Sequence, residues 1–357
     1  MSYTSFGVND AYAVKLYAKT LAVAERDTLD IAPLMGNDDN SIIQIKTETS
    51  KGAGDRVTFG LRARLSGDGL TETETAEGNG EALSIYSDAV LINELGHNVA
   101  VRSQNTIDAQ RVPFDLRNQA RDGLAEWWAD RKSASFFNQV CGYTPQTNTK
   151  YTGLNTITAP TSGRKIVAGS GANDENITSA DIFTLDLIDQ AVEMAKVGNN
   201  MIRPIRIGGQ PKYVMYLHPY QVTSLRTNSA SGQWLDIQKA AMAGGQITNS
   251  PVYTGALGEY NGVILRQSQD VTQGVNSSTS AAITTVRRAV LLGAQACVCG
   301  FGQANYGPTK YRWNEEMLDH RRKLEVSAWS IWGMKKTVFN AADFGTLVVS
   351  TYASASA

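Results

Sequence analysis

The chain has 357 residues, 42% hydrophobic and 19% charged, enough apolar material for two or three compact lobes. Lys and Arg number 33 against 34 Asp and Glu, and the formal net charge of -1 excludes a nucleic-acid or membrane binder driven by bulk electrostatics. Three cysteines exclude a disulfide framework; with no secretory leader pattern and no membrane-length apolar run, the sequence points to synthesis in a reducing cytoplasm.

Residues 9–32 read as an amphipathic helix through Val14, Leu16, Tyr17, Leu21, Val23 and Ala24, ending before Pro33. It is either a domain's first helix or an arm that docks on a neighbour. From Arg56 to Leu65, Val57, Phe59, Leu61, Ala63 and Leu65 alternate with polar residues at the period of a strand. A second β segment covers Ala82–Arg102, and its apolar parity changes near Ser87–Asp88, predicting a bulge or bend. Between the two, Asp68, Glu72, Glu74, Glu77 and Glu81 make an acidic stretch. The pattern predicts a long two-stranded hairpin with an acidic tip. An isolated hairpin is marginal in water, so this one needs a surface to lie on, and another subunit is the candidate.

The longest helical stretch runs from Val112 to Gly142. Pro113 suits its first position, Asp115 its first turn, and Gly142 its end. Leu116, Ala120, Leu124 and Trp127 recur at steps of three and four, while Trp128, Phe136, Phe137 and Val140 widen the stripe. Leu116, Leu124, Trp127, Trp128, Phe136 and Phe137 are the expected helix core. Such a rod spans roughly 40 Å, long for one small lobe.

Residues 143–179 form a polar tract that reads as a functional or boundary loop. An α/β pattern follows: a helix capped by Ser179 and running through Lys196, a strand Tyr213–Leu217, a helix opened by His218 and Pro219, and another helix from Ser231. Strands Pro251–Thr254 and Val263–Arg266 flank an Asn261-Gly262 turn, residues 268–285 read as an exposed loop, and 286–292 and 296–300 as central strands. In Lys323–Gly333, Leu324, Val326, Ala328, Ser330 and Trp332 share one face; a turn at Gly333-Met334-Lys335 and a last strand Gly345–Tyr352 close the chain. The class is α+β with an α/β lobe inserted.

Catalysis finds no constellation. His218 precedes Pro219 where a capping role is expected, His97 lies in a strand, and His320 sits among Arg321, Arg322 and Lys323. Cys297 and Cys299 sit in an apolar run with no second pair at zinc spacing. Phosphate-cradling, dinucleotide and Gly-x-Ser-x-Gly patterns are absent from the sequence. The acidic tip lacks the order of a calcium loop; it is either a solvated loop or a charged contact for Arg321, Arg322 and Lys323. No cofactor and no metal are expected.

Five stretches carry a resemblance: YVMYLHPYQVTSLR (213–226), PVYTGALGEYNGVILRQS (251–268), RRAVLLGAQACVCGFG (287–302), RRKLEVSAWSIWGMKKTVF (321–339) and DFGTLVVSTYA (343–353). With the hairpin and long helix in their order, the chain resembles the major capsid proteins of tailed bacteriophages, of the Hong Kong 97 shell type, in the branch named after an N-four-type phage. The resemblance implies an N-terminal arm (1–44), an extended loop over a neighbouring subunit (45–102), a peripheral domain (103–179) with its spine helix at 112–142, an axial domain (180–300), and a return to the peripheral domain (301–357). It implies pentamers and hexamers of this chain forming an icosahedral shell around double-stranded DNA held non-specifically. Portal and decoration proteins, and a separate scaffold or none, would be its partners, with no membrane; the virion would be its place, after assembly in the host cytoplasm. If the tip lies on a neighbour, Glu72 and Glu74 would face Arg321, Arg322 or Lys323. The alternatives are an encapsulin-like compartment enclosing protein cargo and, more remotely, a cytoplasmic enzyme using His218 or Cys297.

Overall fold

The computed structural model describes residues 20–25, 29–47, 54–62, 65, 67–82, 85–102, 107, 111, 115–169, 171–197, 201–228, 258–302 and 310–355. Its longer elements are β1 (Ile43–Lys46), β2 (Arg56–Arg62), β3 (Ile85–Leu91), β4 (Asn93–Arg102), α1 (Leu116–Val140), β5 (Lys165–Val167), α2 (Leu185–Val197), β6 (Gln210–Leu217), α3 (Pro219–Thr227), β7 (Val263–Gln267), β8 (Ala282–Leu292), β9 (Cys297–Phe301), β10 (Arg312–Leu318), β11 (Lys323–Lys336) and β12 (Thr346–Tyr352).

The helix α1 is the axis. Asp115 is its N-cap, not a first-turn residue: the carboxylate accepts from Arg117 N at 2.9 Å, so the helix starts later than Pro113, which lies outside the described residues. At the other end Gly142 takes a φ of +65°, Tyr143 N donates to Asn138 O (3.0 Å) and Gly142 N to Gln139 O (3.3 Å), the paired bonds of a Schellman stop. The 25 residues span about 37 Å. Leu124, Trp128, Phe136 and Phe137 are fully buried, whereas Leu116 and Trp127 are only half-buried. Leu116 sits in the first turn at the rim; Trp127 lies under the His97 ring, stacked at 4.7 Å. From Lys132 to Val140 the helix is buried almost all round, because a sheet covers it on either side.

The first sheet is built on β11, which keeps Leu324, Val326, Ala328, Ser330 and Trp332 inward as its period of two requires. One edge of β11 pairs with β4 from Lys323 to Trp332; the other pairs first with β10 and then with β9, and β1 runs parallel to β9. The expected turn at Gly333–Lys335 is absent: β11 continues through it to Lys336, and the chain reverses instead at Asn340 and Ala341, both left-handed. In the second sheet the order is β5-β12-β8-β6-β7. Tyr213, Met215 and Leu217 of β6 pack toward α2 and α3, while Val214 and Tyr216 face the core shared with α1, where Phe137 meets Tyr216 edge-on at 5.3 Å.

Several boundaries move. The bend expected at Ser87–Asp88 lies at Ile92, between β3 and β4; pairing from Arg56↔Leu91 to Arg62↔Ile85 has no slip. The N-terminal helix does not reach residue 32: residues 20–25 are helical, and Ala32–Leu34 is a 3-10 turn containing Pro33. Leu21 and Ile31 are buried against the subunit's own α1 core, so this part of the arm docks at home. The tract 143–179 is a strap rather than a free loop, carrying β5 and burying Asn155, Ile157, Arg164 and Asp174; α2 starts at Leu185, not after Ser179. The tract 268–285 buries Ser268, Val271 and Thr272 against β8. Sheet membership does not follow chain order: β1, β4 and β9 belong to the β11 sheet, while β5 and β12 belong to the α/β sheet. Hydrogen bonding across the sheet overrides chain order here. The expected helix from Ser231, the strand Pro251–Thr254 and residues 1–19 lie outside the described residues.

Candidate functional site

The hairpin β2–β3 forms a two-stranded sheet of its own among the described residues. Among the described residues its base is packed: Val57, Phe59, Val90 and Ile92 cluster with Val298 of β9 and with Ile331, Phe339 and Phe344. Beside this cluster Lys335 Nζ meets Asp88 Oδ1 at 2.5 Å, and Val338 N donates to Asp88 Oδ2 at 3.2 Å. Beyond the base every residue from 67 to 82 is exposed. Glu74 accepts from Thr71 N (2.8 Å) and Glu81 from Gly67 N (2.9 Å), so two of the five acids also shape the tip. Leu65 and Leu70 are exposed beside them.

The basic group lies at the far end of the first sheet. Arg321 and Arg322 sit in the exposed β10–β11 turn, and Lys323 opens β11 opposite Leu318 and Arg102. Asp319, His320 and Arg321 all take left-handed φ values, an arrangement that costs non-glycine residues energy and projects the turn outward. Met317 and Leu318 are exposed next to it. Among the described residues no hydrogen bond or ion pair within one chain joins Glu72 or Glu74 to Arg321, Arg322 or Lys323, and the two groups lie on separate elements.

Buried charges tie the rest into one tile. Arg117 forks onto Glu315 (2.6–2.9 Å), which also accepts from Trp313 Nε1 at 2.7 Å, joining the start of α1 to β10. Lys132 meets Glu25 at 2.9 Å, joining mid-helix to the N-terminal segment. Arg288 of β8 is 3% exposed; it donates to Asp174 (2.7 Å) and to the Cys141 and Gly142 carbonyls at the end of α1 (3.2 and 2.8 Å). Burial pushes the Asp174 carboxyl up, but Arg288, Lys165 and the Val275 amide outweigh it and hold it below the usual carboxylate range.

His218 caps α3 as expected: its Nδ1 accepts from Tyr220 N at 3.2 Å, and Gln221 Oε1 accepts from His218 N at 2.9 Å. Burial, aided by the Arg287 charge, pushes it down from 6.5 to about 4. A His depressed in the folded state binds fewer protons than in the unfolded chain, so its contribution is complete above pH 6.5 and fades as pH falls toward 4. Thermal unfolding across that window should show a loss of about 3 kcal/mol in the native protein that His218→Asn, which caps without titrating, does not share. Cys297 is buried in β9 and donates to Lys335 O at 3.2 Å; it and His218 are each engaged locally. Among the described residues no group of three His, Cys, Asp or Glu side chains is arranged for a metal, and no helix is long and apolar enough to cross a membrane.

A family model described as phage capsid protein matches residues 5–355. This chain belongs to the phage capsid protein family. A major capsid protein of Pseudomonas phage KPP25 is 26% identical over 360 residues, covering 92% of each chain. The capsid of Ralstonia phage GP4 superposes with a TM-score of 0.76 at 29% identity over 99% of both chains. The cyanophage Pam1 capsid does so at 0.69 and 20% identity, over 90% of this chain and 92% of that one. The chain is thus a major capsid protein of a phage, a shell subunit with a structural role, and the encapsulin alternative is not favoured. Sequence reasoning named the two exposed charge groups of this capsid subunit but missed its internal anchors. Asp88, Asn155 and Arg288 are single polar residues in unremarkable contexts, and only the fold gives them partners.

Proposed function

We propose that this capsid protein assembles with copies of itself, as pentamers and hexamers, into the icosahedral head shell of a tailed phage around double-stranded DNA. The observation that carries the reading is that, among the described residues, the hairpin is packed at its base while all sixteen residues from 67 to 82 are exposed. A hairpin of that kind gains stability when another surface covers it. The sheet of β4, β10 and β11 with α1 acts as the peripheral domain, the α/β sheet as the axial domain, and 56–91 as the extended loop. Near-zero charge suits an inner face that holds DNA without specific contacts. Portal and decoration proteins, and a separate scaffold or none, are its further partners, and the host cytoplasm is where it assembles. Electron microscopy of the purified protein should show closed shells; small oligomers under all conditions would count against this reading.

The tip of one copy is assigned to the β10–β11 turn of the next. Acids and exposed Leu65 and Leu70 on one side match Arg321, Arg322, Lys323, Met317 and Leu318 on the other. Each exposed pair contributes about 0–1 kcal/mol, repeated at every copy. Glu72→Lys with Glu74→Lys should therefore raise the concentration needed for assembly about fivefold or more. Reversing Arg321, Arg322 and Lys323 to Glu in the same chain should partly restore it, and light scattering reads both; no restoration rejects the pairing. Glu74→Gln controls for the Thr71 turn bond.

A further inference from the structure

At its base the hairpin is a strand that has peeled away from the first sheet. β4 pairs with β11 from Arg102↔Lys323 to Asn93↔Trp332; past Ile92 the same chain continues as β3 and pairs with β2. Ile92 N donates to Asp55 O (2.8 Å), which leaves the Leu91 N–H and C=O turned away from β2, toward the edge that β11 would have filled. Asn155 fills it instead. Its Nδ2 donates to Leu91 O at 2.7 Å, and Leu91 N donates to its Oδ1 at 2.9 Å. A primary amide presents donor and acceptor side by side as a strand backbone does, so the side chain stands in for a strand partner.

Two neighbours fix the amide. Asn155 is 4% exposed, and its own carbonyl accepts from Gln139 Nε2 of α1 at 3.0 Å. Across the gap, Gly333 of β11 has no room for a side chain: a Cβ there would lie 2.0 Å from Leu91 O and 3.2 Å from Asn155 Nδ2. We propose that Asn155 is a positioning residue for assembly. Its amide is a wedge between the diverging β3 and β11 that sets the angle at which the hairpin leaves the tile, referenced to α1 through Gln139. This rests on the reading that the hairpin overlaps a neighbouring copy.

Hydrogen exchange on the full-length protein reads the hinge, and electron microscopy reads its consequence. Asn155→Ala should speed exchange in segment 87–92 about tenfold while leaving 124–140 unchanged. Its particles should vary in diameter where the native protein's are uniform. Asn155→Asp keeps the shape and the bond from Leu91 N, but its carboxylate repels Leu91 O; once protonated, at acid pH, it donates again. Uniform particles should therefore return on acidification for Asn155→Asp and not for Asn155→Ala, and this variant decides the matter if the alanine form fails to fold. Unchanged exchange at 87–92 in Asn155→Ala, or an Asn155→Asp variant indifferent to pH, overturns the proposal. Absence of shells from the native protein would count against the overlap alone, because the hinge is read without assembly.

Discussion

Arg288→Ala is expected to lower the unfolding free energy of the unassembled subunit by about 3–5 kcal/mol, the cost of breaking a buried ion pair from one side. The residue does two jobs with one guanidinium. It neutralises Asp174, itself fully buried, and it donates to the buried carbonyls at the end of α1. Without it, Asp174 keeps Lys165 at 2.8 Å and the Val275 amide at 2.9 Å, but the Cys141 carbonyl loses this donor and Gly142 O keeps Thr144 N at 3.1 Å. Arg288→Lys should fall between native and alanine, since an ammonium cannot reach the carboxylate and both carbonyls in one plane. Urea unfolding of the three proteins measures this. A loss under about 1 kcal/mol for Arg288→Ala would mean that the joint adds little beyond local packing.

Trp128→Ala should cost about 3–5 kcal/mol by opening a cavity at the centre of the shared core. The indole is fully buried, with Trp127 and Tyr311 both at 5.2 Å and Trp332 at 6.4 Å, each edge-on. Its Nε1–H has no hydrogen-bond partner among the described residues. Trp128→Phe therefore gives up volume but no polar contact, and its loss should be clearly smaller than that of the alanine variant. Equal losses would show that the ring's edge, rather than its bulk, holds the core. Both measurements belong on dissociated subunits, because a closed shell adds stability through its partners.

The family resemblance and the elements behind it were legible in the sequence because they are written in periods. The stripe Leu124, Trp128, Phe136, Phe137 and the alternation Leu324 to Trp332 each describe one face of one element. Capping is equally local, so His218-Pro219 and the Gly142 stop could be read directly. Misplaced boundaries share a cause as well. The turn assigned to Gly333 followed the usual meaning of glycine; there it instead lets β11 pass Leu91 at close range. The polar tract 143–179 looked like a loop because its anchors, Asn155, Arg164 and Asp174, are polar residues buried by partners far along the chain.

The same division runs through the functional surfaces. The sequence by itself determined an α+β chain with a long helix, a hairpin ending in five acids, and a separate basic turn, since composition and periodicity are properties of neighbouring residues. Only the tertiary structure decided that β1, β4 and β9 join one sheet and β5 and β12 the other, and that the free hairpin shrinks to 56–91. Strand partnership is set by backbone hydrogen bonds between distant segments, which leave little trace in local pattern. The same holds for the wedge at Leu91: a lone asparagine acquires a role only where two strands part.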